Sequence, residues 1–155
     1  MILILTQSSK TGQNYKLAKD CQKLIKHFSN IESDIRNFDD DDIDLTLYNE
    51  VLMIVPEWNR SIPFTLKSLI DNSGWPSLLK NKLVWMIGTS GGFGGNLIGI
   101  SHLNDILDYV GAIVKRPKVY IENMGDFDRE GPQGMATQKL IMDIIKQICS
   151  NYQSE

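Results

Sequence analysis

Residues 1–28 read MILILTQSSKTGQNYKLAKDCQKLIKHF. Met1 to Leu5 are apolar without a break, the pattern of a strand buried on both faces of a parallel sheet. The polar stretch TQSSKTGQN follows. Beyond it, Leu17, Ala18, Cys21, Leu24, Ile25 and Phe28 recur at the 3.6-residue spacing of a helix with one buried side, and Lys16, Lys19, Lys23 and Lys26 take the wet side. Strand, polar loop and amphipathic helix make a βα unit.

The rest of the chain alternates in the same way. A weaker strand is expected around Ile35 to Phe38, then the acidic DDDDIDLTLYNE supports only a turn or a stunted helix. VLMIV (51–55) reads as a second buried strand, with Ser61 capping the next helix, Pro63 in its first turn and Leu66, Leu69 and Ile70 facing inward. KLVWMIG (82–88) is a third such strand. Leu103, Ile106, Leu107 and Val110 mark a helix that Gly111 is placed to end. AIVKRPKVYI is a strand interrupted by Pro117, hence at an edge or bulged. Ile141, Ile144, Ile145 and Ile148 define a closing helix. Apolar strands alternating with helices predict an α/β domain over 1–155, a three-layer sandwich with a five-stranded parallel sheet and about five helices. The order 2-1-3-4-5 of the flavodoxin-like fold fits that count.

Composition narrows the function classes. A hydrophobic fraction of 42% and a charged fraction of 23% are ordinary for a globular chain. The net charge of −3 and the lack of a basic stripe argue against nucleic-acid binding. No apolar run has the length of a membrane span, and MILILTQSS is too short for a secretory signal. Cys21 and Cys149 stand far apart, with no spaced Cys/His cluster, so they read as small apolar residues on helix faces in a reducing cytoplasm, and no metal site is expected. The aspartates 39–42 lack the alternating ligands and central glycine of a calcium loop and read as a solvated turn.

In open parallel sheets, ligands sit at the carboxyl ends of the strands near the point where the strand order reverses. That rule singles out three loops. SSKTGQN runs into a helix, whose free N–H groups and positive dipole end can hold a phosphate with help from Ser8, Ser9, Thr11, Gln13 and Asn14. A plain polar turn with a helix cap reads equally well. PEWNRSIP begins with a proline at a strand end; Trp58 there either lines a planar ligand or packs beneath the loop, and Asn59 tolerates unusual backbone geometry. Glu57 has no paired carboxylate or histidine for general-base work, and Arg60 reads as a surface charge. GTSGGFGGN (88–96) exposes main chain with almost no bulk, either as a tight turn or as a shelf for a flat ring. Taken together, the loops specify a phosphorylated, planar, ring-bearing ligand, an anatomy that FMN has.

PEWNRSIPFTLKSLIDN resembles the P-x-Y-N-x-S-x-P-x-x-L-K-x-x-I-D segment of NAD(P)H-dependent FMN reductases, a family that also includes quinone, azo-dye and chromate reductases. KLVWMIGTSGGFGGN is similar to the glycine loop of the same family, and GDFDREG (125–131) fits its template. Two positions depart from it. Trp58 stands where the family has Tyr, and the arginine of the family's G-S-x-R-x-x-S-x-N opening is missing. Instead SKTGQN is similar to the phosphate loop of flavodoxins, with Lys10 as the available charge.

The resemblance implies that Ser8, Ser9, Thr11 and Asn14 take the phosphate, with Lys10 and Gln13 beside them. It places Pro56, Glu57, Trp58 and Asn59 along the ribityl chain and ring, and Thr89, Ser90, Gly91, Gly92 and Phe93 at the isoalloxazine edge. The implied activity is hydride transfer from NADH or NADPH to bound FMN, then two electrons to a quinone, azo compound, metal oxyanion or free flavin. No catalytic side chain is required, and His27 and His102 read as structural or solvated. A homodimer is implied too, with Trp75 as a candidate interface residue. A single-electron carrier of flavodoxin type and a cofactor-free interaction domain are the alternatives.

Overall fold

The computed structural model describes residues 1–125 and 132–152; all of GDFDREG except Gly125 lies outside the described residues. Strand β1 (Ile2–Thr6) runs through the middle of a parallel sheet, and all five of its residues are buried. It pairs on one side with β2 (Ser33–Asn37) and on the other with β3 (Glu50–Pro56), and β4 (Leu83–Thr89) joins β3. β5 (Ile113–Val114) and β6 (Val119–Ile121) both pair with β4, which gives the order β2-β1-β3-β4-β5 with β6 continuing along the same β4 edge.

The expected fifth strand is therefore split in two. Val84 pairs with Val114 and Ile87 with Val119, so residues 115–118 stand opposite only Trp85 and Met86. Pro117, which has no N–H to donate, sits in that bulge.

Alternation along the strands feeds two cores. Leu3, Leu5, Val51, Met53, Val84 and Met86 pack toward α2 (Phe64–Asp71) and α3 (Leu97–Tyr109). Ile2, Ile4, Leu52, Ile54, Trp85 and Ile87 pack toward α1 (Gln13–Ser29) and α4 (Pro132–Ser150). Each fully buried Ile or Leu contributes roughly 1.5–3 kcal/mol of transfer free energy, so this two-sided burial dominates the stability of the sheet.

Two local expectations need correction and a third holds. Among the described residues there are four α-helices, not five; the acidic stretch yields only a 3-10 turn at Leu45–Leu47, capped by Asp44. Ser61 does not cap α2. The helix starts three residues later with Pro63 at its N-cap, because the Ser61 backbone is paired with Trp58. Gly111, at φ +82°, ends α3 as expected.

At the amino end of the sheet, away from the loops, Glu50 is buried. Its carboxylate accepts from Trp85 Nε1 at 2.9 Å and from Asn151 Nδ2 at 2.8 Å, tying the end of α4 to β3. Burial pushes this carboxyl above its ordinary value, against the two hydrogen bonds that favour its ionised form.

Candidate functional site

β1, β3 and β4 are neighbours, so their exits at Thr6, Pro56 and Thr89 deliver the three loops to one edge of the sheet. Cross-bonds lock them together. Glu57 N–H donates to Thr89 O at 2.8 Å, Thr89 Oγ1 donates to Asn14 Oδ1 at 3.0 Å, and Thr65 Oγ1 donates to Gln7 Oε1 at 3.1 Å. The Thr89 bond joins the glycine loop to the first turn of α1.

The first loop leaves a helix start open. Gly12 is the N-cap of α1, no side chain caps the helix, and the amides of Gln13, Asn14 and Tyr15 have no acceptor among the described residues. A Cβ on Gly12 would lie 2.2 Å from Ser8 Oγ, so the glycine is what lets that hydroxyl sit over the helix start. Ser8 is itself fixed by its amide, which donates to Asn37 Oδ1.

The second loop is a two-residue hairpin. Trp58 and Ser61 exchange both backbone hydrogen bonds at 3.0 Å, and Asn59 and Arg60 between them have φ of 50° and 60°. Positive φ at both central positions is the pattern of a type I′ turn, easy for Asn and costly for Arg. Trp58 packs its ring on Phe64, centroids 6.0 Å apart, at the surface.

The third loop is held from behind by the β6 exit. Asn123 N–H donates to Gly92 O at 3.0 Å and Met124 N–H to Ser90 O at 2.9 Å, while Ser90 N–H donates to Ile121 O. Asn96, fully buried at φ 65°, donates through Nδ2 to the carbonyls of Val55 and Pro56, both at 3.2 Å, joining the start of α3 to the end of β3. The outcome is polar asymmetry. The carbonyls of Ser90 and Gly92 are occupied, while the amides of Gly91, Gly92 and Phe93 have no acceptor among the described residues. A Cβ on Gly91 or Gly92 would meet nothing within 4 Å among the described residues, so that main chain is bare of covering side chains from them.

A cleft of about 180 Å³ connects these features. Its walls are Ser8, Gln13, Asn14, Pro56, Glu57, Thr89, Ser90 and Gly91, all expected from the sequence, and Met124, which was not. Ser9, Thr11, Trp58, Asn59, Gly92 and Phe93 lie outside those walls, though on the same three loops. Lys10 instead lines a basin of about 720 Å³ with Asp34, Asp40, Asp41 and Asp42. That basin is larger, yet its carboxylates would repel a phosphate, whereas the smaller cleft offers hydroxyls, amides and a helix start.

The sequence model of the NADPH-dependent FMN reductase family matches residues 45–126, more than half of the chain. The chain belongs to this family. Within this NADPH-dependent FMN reductase family match lie two of the three loops, together with Glu122 and Met124. A 2-hydroxy-1,4-benzoquinone reductase from a Burkholderia species is 35% identical over 80 residues, 47% of this chain. The match spans 42% of that relative's length.

Solved structures agree on the fold. FerB, a flavoenzyme NAD(P)H:(acceptor) oxidoreductase from Paracoccus denitrificans, superposes with a TM-score of 0.74 at 23% identity, covering 96% of this chain and 94% of that one. An oxidoreductase from Corynebacterium diphtheriae gives 0.81 at 15% identity, covering 99% and 97%. The FMN-bound flavodoxin of Fusobacterium nucleatum gives 0.66 at 16% identity, covering 97% and 96%.

Proposed function

We propose that the chain binds FMN along this cleft and uses it to move two electrons from NADH or NADPH to a quinone-class acceptor. The observation that carries the reading is the placement of donors with no acceptor among the described residues in and beside one cleft: the open start of α1, and the amides of Gly91 on the cleft wall and of Gly92 and Phe93 next along the same loop. The first suits a phosphate dianion, through N–H groups and the helix dipole. The second suits a ring edge rich in carbonyl oxygens and nitrogens.

The fit extends to space. No described residue comes within 4 Å of where a Cβ of Gly91 or Gly92 would project, so a flat ring can approach the main chain there. When bound, FMN supplies the redox chemistry, exchanging a hydride with the nicotinamide and two electrons with the acceptor. The chain's part is to bind and orient. Ser8, Gln13, Asn14 and the first amides of α1 hold the phosphate; Pro56 and Glu57 border the ribityl chain; Thr89 fixes Asn14. The free shelf amides favour negative charge at the ring edge, which develops on reduction. Lys10 is exposed and lines the neighbouring acidic basin, so the phosphate is held by neutral hydroxyls and helix amides, with no lysine or arginine among the cleft's walls.

A planar acceptor is favoured over a compact oxyanion by the rim. Phe64 is 73% and Phe93 86% exposed, and with Trp58 they put aromatic surface on the second and third loops and at the start of α2. The same class is named by the benzoquinone-reducing relative. A homodimer completes the reading: α2 and α3 present an apolar groove of about 420 Å³ that includes Trp75, Ile106 and Tyr109.

Flavin fluorescence and anaerobic mixing test this. FMN added to the protein is quenched, NADH or NADPH bleaches the bound flavin as fast as turnover, and a benzoquinone brings the colour back. Unchanged fluorescence overturns FMN binding. Binding without fast bleaching overturns the reductase and favours the flavodoxin-type carrier.

A further inference from the structure

The glycine shelf is clamped by one side chain as well as by the β6 backbone. Of the amides from Gly91 to Gly94, only that of Gly94 has an acceptor among the described residues, and the acceptor is Glu122 Oε1 at 2.7 Å. Gly94 has φ +88° and, among the described residues, no neighbour within 4 Å of a would-be Cβ, so side-chain packing does not hold it in place. Two hydrogen bonds do: its carbonyl accepts from Leu97 N–H at 2.8 Å, and its amide donates to Glu122 in a charge-assisted bond. Glu122 follows directly on Ile121, whose pairing with Thr89 sets its position at the back of the loop. Among the described residues, no lysine, arginine or histidine forms an ion pair with it.

We propose that Glu122 is a positioning residue for the cofactor: its carboxylate anchors Gly94 so that the Gly91–Phe93 amides stay free for the ring edge, and its negative charge lowers the reduction potential of the bound ring. The inference rests on the FMN reading above. Its two halves follow from one atom pair. Holding Gly94 by a side chain leaves the neighbouring amides unused. A carboxylate beside the shelf, with no ion-pair partner among the described residues, opposes the charge that those amides favour, and a partly buried position screens it incompletely. The shelf therefore binds the ring firmly without trapping it in the reduced state, which keeps it able to give electrons onward.

Two variants separate the halves. Glu122→Gln keeps an oxygen to accept from Gly94 and removes the charge; Glu122→Ala removes both. Dissociation constants for oxidised FMN come from fluorescence quenching, and midpoint potentials from equilibration with indicator dyes. Glu122→Gln is expected to bind oxidised FMN within about twofold of the parent but to favour the reduced ring about tenfold more, a rise of about 30 mV for a two-electron couple. Glu122→Ala is expected to bind oxidised FMN at least about fivefold more weakly. An unmoved potential in Glu122→Gln overturns the charge effect, and unmoved affinity in Glu122→Ala overturns the anchor. If the parent protein binds FMN and both variants match it, this inference alone falls; if the parent does not bind FMN, both readings fall.

Discussion

What a methyl group would meet divides the glycines of the third loop into two kinds. A Cβ on Gly88 would lie 2.2 Å from the Gly95 carbonyl oxygen and 2.9 Å from Ile100 Cγ1, and one on Gly95 would lie 2.6 Å from the Ile121 amide nitrogen. These glycines let the loop, α3 and β6 pack. Gly91 meets nothing among the described residues, and its φ is not in the left-handed region, so those residues alone give no reason for a glycine there. The substitutions should therefore act oppositely. Gly88→Ala is expected to cost about 1–3 kcal/mol of stability in urea unfolding, because backbone must move to admit the methyl. Gly91→Ala should leave stability unchanged or slightly raised, since alanine restricts the unfolded chain. Its FMN affinity should fall roughly tenfold, the methyl standing where the ring lies; retention of parental affinity in Gly91→Ala would remove the ring from the shelf.

Helix α4 closes the molecule by way of a buried acid, and this makes an element-level prediction about pH. The carboxyl of Glu50 is held above its ordinary value of 4.5 by burial. Between 4.5 and that raised value the folded chain binds more protons than the unfolded one, so this group's contribution to stability falls as pH rises through the window. Glu50→Gln should flatten that dependence in urea titrations run from pH 4.5 to neutral, with the parent gaining stability toward acid relative to the variant. Asn151 can turn its amide to present an oxygen to the new NH2, so the link from β3 to α4 survives the change. Parallel pH profiles for the two proteins would contradict it.

The elements differ in how plainly they were written in the chain. β1, β3 and β4 are legible as apolar runs because both of their faces are buried, and α1 by its apolar period. Pro117 warned of the break between β5 and β6. The start of α2 misled: a serine ahead of a proline resembles a cap, but the hairpin turn at Asn59 and Arg60 claims its backbone first. The loops of the site were legible from glycine, hydroxyl and amide content. Glu122 and Met124 were not, since their contacts with the glycine loop depend on the register of β6 on β4, a pairing across some thirty residues that leaves no local motif.

At the scale of the whole molecule, one face is left unfinished. Trp75 is 78% and Tyr109 79% exposed, their rings 6.1 Å apart, and Leu97 and Ile98 at the start of α3 are exposed as well. Aromatic groups of this size at the surface of a monomer leave an apolar area that water solvates poorly, and a second copy of the same face would bury it with a closed two-fold contact. The charges around it allow this: Lys67 lies near Asp71 and Asp105 in the same groove, so opposite signs can meet across a two-fold axis. The expected state at micromolar concentration is a dimer in sedimentation velocity. Trp75→Asp combined with Tyr109→Asp should shift it to monomer while leaving the circular dichroism spectrum intact, because both rings lie outside the two cores. The α3 start that carries Leu97 and Ile98 follows directly on the glycine loop, so dimerisation on this face would also narrow the approach to the cleft. Monomerisation should then raise the KM for the acceptor several-fold while oxidised FMN binds as before. A parent protein that sediments as a monomer, or a double variant that stays dimeric, would place the partner elsewhere and leave the aromatic rim to the acceptor alone.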